Sequence, residues 1–140
     1  MELKTRDQID AMAATSPADT HAARPAMTRR AKLERWAALL DAHSGCVRPL
    51  RGIEFLSPDQ RASLRSADSP LALAASDPVL RAEGLRNDAF GHGSRFFELT
   101  SGEAHRLLCD CHYGGRMTPK ELAFRLRFVA RHPILSRFIG

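Results

Sequence analysis

The residues best equipped for chemistry crowd into RLLCDCHYGGRMTPKEL, from Arg106 to Leu122, where two cysteines, a histidine and a tyrosine precede a Gly-Gly pair. A second histidine, His105, stands just upstream. Imidazole and thiolate together suit zinc, iron or copper. Thr100 with Glu103 has capping-box form and Gly114-Gly115 supplies a left-handed stop, so GEAHRLLCDCHYGG is expected to be a helix of about three turns. On such a helix His105, Cys109 and His112 fall at i, i+4 and i+7, one stripe of a kind that helical metal sites use.

The same rotation, about 100° per residue, turns Cys111 into the core beside Ala104, Leu107 and Leu108. It also sets Cys109 and Cys111 about 160° apart, so the two cannot share an ion while the helix continues through them. Closing a tetrahedral shell then requires a fourth ligand from elsewhere, and His43, Cys46 and His92 are available. Zinc or haem is the cofactor this stripe would take; the rest of the chain calls for none. The competing account makes His105 and His112 hydrogen-bonded edges of the core and Cys109 a small boundary residue, with Asp110 and Tyr113 on the surface.

Other chemistries are poorly represented. A disulfide oxidoreductase carries C-x-x-C at a helix start, whereas this is C-x-C near an expected helix end, where the dipole raises a thiol pKa. Phosphate-loop, Rossmann and serine-nucleophile patterns are absent, His92 between two glycines reads as a turn residue, and no carboxylate pair stands out as general acid and base. A non-enzymatic protein is therefore expected, with no catalytic residue assigned.

The elements that must position these groups are helical. Alanine is abundant, only 6% of residues are aromatic, and Val and Ile are sparse, which favours an all-α domain. The hydrophobic share, 44%, suffices for one core. Residues 1–26 are Ala, Thr, Ser, Asp and Pro rich and read as a flexible arm; 27–140 read as a single helical domain.

TRRAKLERWAALLDAHSG, Thr28 to Gly45, has a capping threonine, a glycine stop, and Leu33, Trp36, Ala37 and Leu40 on one face. From Ser57 onward a capping side chain is repeatedly followed by proline: Ser57-Pro58, Ser69-Pro70, Asp77-Pro78 and Thr118-Pro119. Each pair fixes a helix start, because the side chain accepts from first-turn amides while proline needs no donor there. RNDAFGHGSRFFELTSG, 86–102, reads instead as an irregular connection pinned by its phenylalanines. The result is a bundle of five to six helices ending in a helix hairpin centred on Gly114-Gly115.

In the last hairpin helix Leu122, Ala123, Leu126, Val129 and Ala130 form the core face. Phe124 and Phe128 fall opposite, among Arg127, Arg131 and other cations, the composition of a protein-protein anchor with a charged rim. The chain carries 18 arginines, 3 lysines and a net charge of +5, which suits an acidic protein face or nucleic acid. The segment MTPKELAFRLRFVARHPILSRFIG resembles, over about ten residues, the first part of a helix-turn-helix. Arg127 and Phe128 stand where that motif carries a small turn residue, and PILSRFIG offers few polar side chains to read base edges.

No apolar run approaches the roughly 18 residues of a membrane span, the N-terminal stretch lacks the apolar centre of a secretory signal, and an odd count of three cysteines argues against a disulfide framework. A cytoplasmic protein with reduced thiols is expected. The leading functional expectation is an interaction or regulatory module that self-associates or binds a protein partner through Phe124, Phe128, Arg127 and Arg131. A metal- or haem-binding sensor using His105, Cys109 and His112 is the alternative, and a weak nucleic-acid binder with a helix-turn-helix-like C-terminus the third.

Overall fold

The computed structural model describes residues 25–114 and 116–138. The described residues are helical and contain no strand, as the composition predicts. In chain order the helices are α1 (Arg29–Ala42), α2 (Pro58–Ala62), α3 (Pro70–Ala75), α4 (Pro78–Ala82), α5 (Phe90–Phe96), α6 (Ser101–Leu108), α7 (Pro119–Arg131) and α8 (Pro133–Phe138), with 3-10 turns at Ile53–Phe55 and Asp110–His112. The expected arm, 1–26, falls outside the described residues except for Pro25 and Ala26, which are exposed.

All four cap-proline pairs begin helices. Ser57, Ser69, Asp77 and Thr118 each accept a hydrogen bond from the third residue beyond, and proline occupies the first turn every time. Thr28 caps α1 in the same way, accepting from the Ala31 amide. The end of α1 differs from expectation: His43 is extended after Ala42, and the helix stops before Gly45 is reached.

α1 and α7 form the central pair of the fold. Leu33, Trp36, Ala37 and Leu40 of α1 are fully buried, as are Leu122, Ala123 and Leu126 of α7, while Val129 and Ala130 are almost so. Trp36 stacks on Phe97 with ring centroids 4.3 Å apart and donates its indole N–H to the Pro70 carbonyl at 3.1 Å, so its one polar atom is satisfied inside the core. Across the rim of this pair Arg127 meets Asp41 at 2.7 Å and Glu34 at 3.5 Å, and Arg131 meets Glu34 at 2.8 Å.

The two helices beyond the expected five to six are α5 and α8. The segment 86–102 is not an irregular connection, since Phe90–Phe96 is α5, although no side chain caps it. Tertiary packing supplies what propensity lacks: Phe90, Phe96 and Phe97 are buried, and Gly93 lies where a Cβ would come within 2.5 Å of Leu71 Cδ2. Gly91 approaches the Ala62 backbone as closely as 3.0 Å, measured from the same hypothetical carbon. The glycines that weaken the helix signal are therefore what let α5 seat against α2 and α3. His92 is a helical residue rather than a turn residue, and its Nε2 accepts from the Arg86 amide at 2.9 Å.

Glu103 ties the ends of the fold together. It completes the capping box of α6 by accepting from the Thr100 amide at 3.0 Å, pairs with Arg29 of α1 at 3.0 Å, and accepts from the Ser136 hydroxyl of α8. Its side chain is 1% exposed, and although burial alone raises a carboxyl's pKa, these donors hold it below the usual value. α8 begins after a single residue, His132, and its Ser136 is buried in this network.

Candidate metal centre

The helix expected over residues 102–115 ends early, and that break creates the site. α6 runs only to Leu108; Cys109 is extended at φ −86°, ψ 139°, and the chain then enters the 3-10 turn Asp110–His112. The cause is tertiary. The Leu108 carbonyl accepts from the Leu50 amide at 2.7 Å, and the Leu50 carbonyl accepts from the Asp110 amide at 2.9 Å, an isolated parallel bridge between Leu50 and Cys109. Those backbone groups are therefore spent on the strand-like segment around Leu50 and not on continuing the helix. Two residues past Leu50, Gly52 turns the chain at φ +64°, a left-handed conformation that suits glycine, into the 3-10 turn that carries Glu54.

Three placements differ from the sequence reading as a consequence. Cys111 is exposed rather than in the core, Cys109 is fully buried rather than at a boundary, and the two sulfurs lie 3.3 Å apart instead of on opposite faces. Tyr113 is not a surface residue either: it is buried and donates its hydroxyl to the Leu107 carbonyl at 2.6 Å. Arg125 of α7 lies 4.1 Å over the Tyr113 ring and donates to the His112 carbonyl at 2.9 Å, so α7 clamps the 3-10 turn in place.

Around the two sulfurs four side chains converge. Glu54, His105, Cys109 and Cys111 each offer one ligand atom, and all four atoms lie within 4.8 Å of one another. The Cys109 thiol points at Glu54 Oε1 at 3.5 Å, the same oxygen is 3.3 Å from His105 Nε2, and that nitrogen is 3.7 Å from Cys111 Sγ. A tetrahedral ion with bonds of about 2.0–2.3 Å spaces its ligand atoms by about 3.3–3.8 Å. Counting the two sulfurs, four of the six edges of such a tetrahedron are already at that length.

The expected stripe is thus split into two layers. His105 and Cys109 belong to the cluster, whereas His112 stands behind His105, with His112 Nε2 3.0 Å from His105 Nδ1. Burial, helped by nearby positive charge, holds the His112 pKa below its usual value, so a neutral ring is favoured there. Without an ion, His105 Nε2 donates to Glu54; with an ion bound, a neutral His112 with its proton on Nδ1 would accept at Nε2 from a His105 Nδ1–H and leave the His105 Nε2 lone pair for the ion. That is how outer partners commonly orient a ligating imidazole. Burial pushes the Cys109 thiol up to about 12, so without an ion this sulfur carries its proton at neutral pH. The Glu54 carboxylate is favoured, chiefly by a backbone amide and then by His105.

Of the other suggested fourth ligands, His43, Cys46 and His92 are not in the cluster. The fourth member of the cluster is Glu54, a residue the sequence reading did not single out; the only local signal is the Gly-Ile-Glu turn that presents it. A cleft of about 550 Å³ opens beside Glu54 and His105, walled by Ile53, Pro58, Phe90 and Leu99.

The proposed interface residues are divided between two faces. Phe124 is 71% exposed beside a shallow groove of about 190 Å³ shared with Leu107, Phe128 and Val129. Arg127 and Arg131 instead reach across to the acids of α1. Among the described residues no helix is long and apolar enough to cross a membrane. Comparison with protein-family models, with curated proteins and with solved structures finds no match to this chain.

Proposed function

We propose that this chain is a small helical metal-binding module that takes one thiophilic divalent ion, zinc by its ligand chemistry, at Glu54, His105, Cys109 and Cys111. The observation that carries this reading is the set of near-tetrahedral spacings among four donors drawn from two separate segments of the chain. Two thiolates, one imidazole and one carboxylate form a borderline-soft set that favours zinc over hard cations. The compact donor set suits a bare ion rather than a haem iron, whose macrocycle already fills four positions. Four protein ligands close the shell, as in structural rather than catalytic zinc sites. The ion would pin the Leu50–Glu54 segment to the α6–α7 connection and so set how α7 is presented, which is a regulatory or stabilising role.

Cobalt(II) titration of the reduced protein tests the proposal. Intense visible bands of a tetrahedral site and thiolate-to-cobalt charge transfer should saturate at one equivalent, and zinc should bleach them. Cys109→Ser and Cys111→Ser should each weaken the charge-transfer band, and His112→Gln should lower affinity by about 10- to 100-fold while leaving the band shape intact. A spectrum of octahedral cobalt without charge transfer would rule the site out.

A second reading rests on Phe124, a large apolar side chain that is 71% exposed. Two copies of the chain would bury it by packing α7 against α7. Light scattering should then report a dimer that Phe124→Glu converts to monomer; a monomer at all concentrations would remove this reading without touching the metal site.

A further inference from the structure

We infer that Cys109 and Cys111 form a hydroperoxide-sensitive dithiol whose oxidation to an intramolecular disulfide expels the bound ion; the ion-release half rests on the metal reading above. The sulfurs are 3.3 Å apart, whereas a disulfide bond is about 2.05 Å, so closure needs only a small shift within the Cys109–His112 turn. Their surroundings are unequal in a useful way. Cys111 is exposed and can be reached by a peroxide, with His105 Nε2 3.7 Å from its sulfur. Cys109 is buried, protected from direct attack, and its thiol is aimed at the Glu54 carboxylate at 3.5 Å.

In the ion-free protein the chemistry balances as follows. The Cys111 sulfur, its proton passed to His105, attacks one peroxide oxygen; an S–O bond forms, the O–O bond breaks, and the other oxygen leaves as water or an alcohol with that proton. Cys109 then attacks the Cys111 sulfenic sulfur, its proton passing by way of Glu54 to the departing hydroxyl; the S–S bond forms, the S–O bond breaks, and the hydroxyl leaves as water. Two thiols are oxidised by two electrons and one hydroperoxide is reduced. From the zinc-bound state the two sulfurs start as thiolates, so two protons are drawn from solvent and the ion leaves, because a disulfide is no longer an anionic ligand. The third cysteine, Cys46, is exposed but lies outside the cluster and takes no part.

The test treats full-length reduced protein, in zinc-loaded and zinc-free form, with one equivalent of hydrogen peroxide. Thiols are then counted, the Cys-bearing peptides are mapped by mass spectrometry, and freed zinc is read with a chromophoric chelator. The inference predicts loss of two thiols, a peptide lighter by two hydrogens that contains both Cys109 and Cys111, zinc released in the same proportion, and recovery of all three signals with dithiothreitol. In Cys111→Ser the disulfide should be absent, and in Cys46→Ser it should form as in the parent protein. Sulfinic acid at Cys111 beside a free Cys109, cross-links through Cys46, or zinc retained after both thiols are lost would each overturn it. The two proposals fail separately: a chain that never takes zinc but makes the disulfide upholds the dithiol against the metal reading, whereas a zinc-loaded chain that resists peroxide does the reverse.

Discussion

The α1–α7 pair and the Glu54–Cys111 cluster are held together by different physics. In the pair, side chains placed at helical spacing on two long helices bury Trp36, Leu33, Leu40, Leu122 and Leu126 completely, and ion pairs only decorate the rim. In the cluster almost nothing depends on helical spacing: a helix is broken so that one backbone bridge, Leu50 to Cys109, can bring a distant 3-10 turn to the thiols. The first region should tolerate loss of any ion and fail when its volume is cut. The second should gain stability when an ion joins its two segments.

The largest effect is expected in the spine. Trp36→Ala removes the largest fully buried side chain together with its stacking on Phe97 and its hydrogen bond to Pro70, and should destabilise the chain by about 3–5 kcal/mol in urea unfolding. The loss should be the same with and without zinc, since neither Phe97 nor Pro70, the partners of Trp36, belongs to the cluster. A zinc-dependent loss would mean that the cluster and the spine are one cooperative site.

Next in size is the ion itself. Zinc held at 100 times its dissociation constant should raise stability by about 2.7 kcal/mol in the parent protein and by far less in Cys109→Ser, as read by thermal unfolding. The gain should fade in acid, because binding must displace the proton that burial keeps on Cys109, whose pKa is pushed up to about 12.

A smaller effect belongs to a third place, the Arg35–Asp77 pair beside the spine. Asp77 accepts from Arg35 at 2.7 and 3.0 Å while capping α4 through the Leu80 amide, and the Arg35 hydrogen bond is the chief reason its carboxyl titrates below the usual range. A carboxyl depressed in the folded state stabilises above the unfolded pKa of about 3.9, and that stability is lost as pH falls through the lower folded value. Asp77→Ala should therefore cost about 2 kcal/mol at neutral pH and progressively less in acid, as the charge-dependent part of the difference is lost. Glu54→Gln, by contrast, should leave the stability of the ion-free protein nearly unchanged, because Glu54 is exposed, while sharply weakening zinc.

The same division explains what could be read from the residues alone. The helix starts at Ser57, Ser69, Asp77, Thr100 and Thr118 and the buried faces of α1 and α7 follow from local rules, because caps, prolines and helical periodicity act within a few residues. His105 and Cys109 were legible as candidate ligands by type. Cys111 and Glu54 were not, since the stop signal at Gly114 lies six residues beyond the true end of α6 and the bridge that ends it comes from Leu50. α5 was missed for a related reason: its glycines argue against a helix locally, and only the close approach to Leu71 and Ala62 shows why they are there.

The account's central claim is most directly tested by the native mass spectrum of untagged, reduced protein given a small excess of zinc, with Cys109→Ser and Glu54→Gln measured alongside. One zinc per parent chain, seen as a mass gain of one zinc less two hydrogens, and markedly reduced occupancy in both variants, is the predicted result. An unoccupied parent chain, or equal occupancy in all three proteins, would contradict it and leave the four side chains as a hydrogen-bonded cluster.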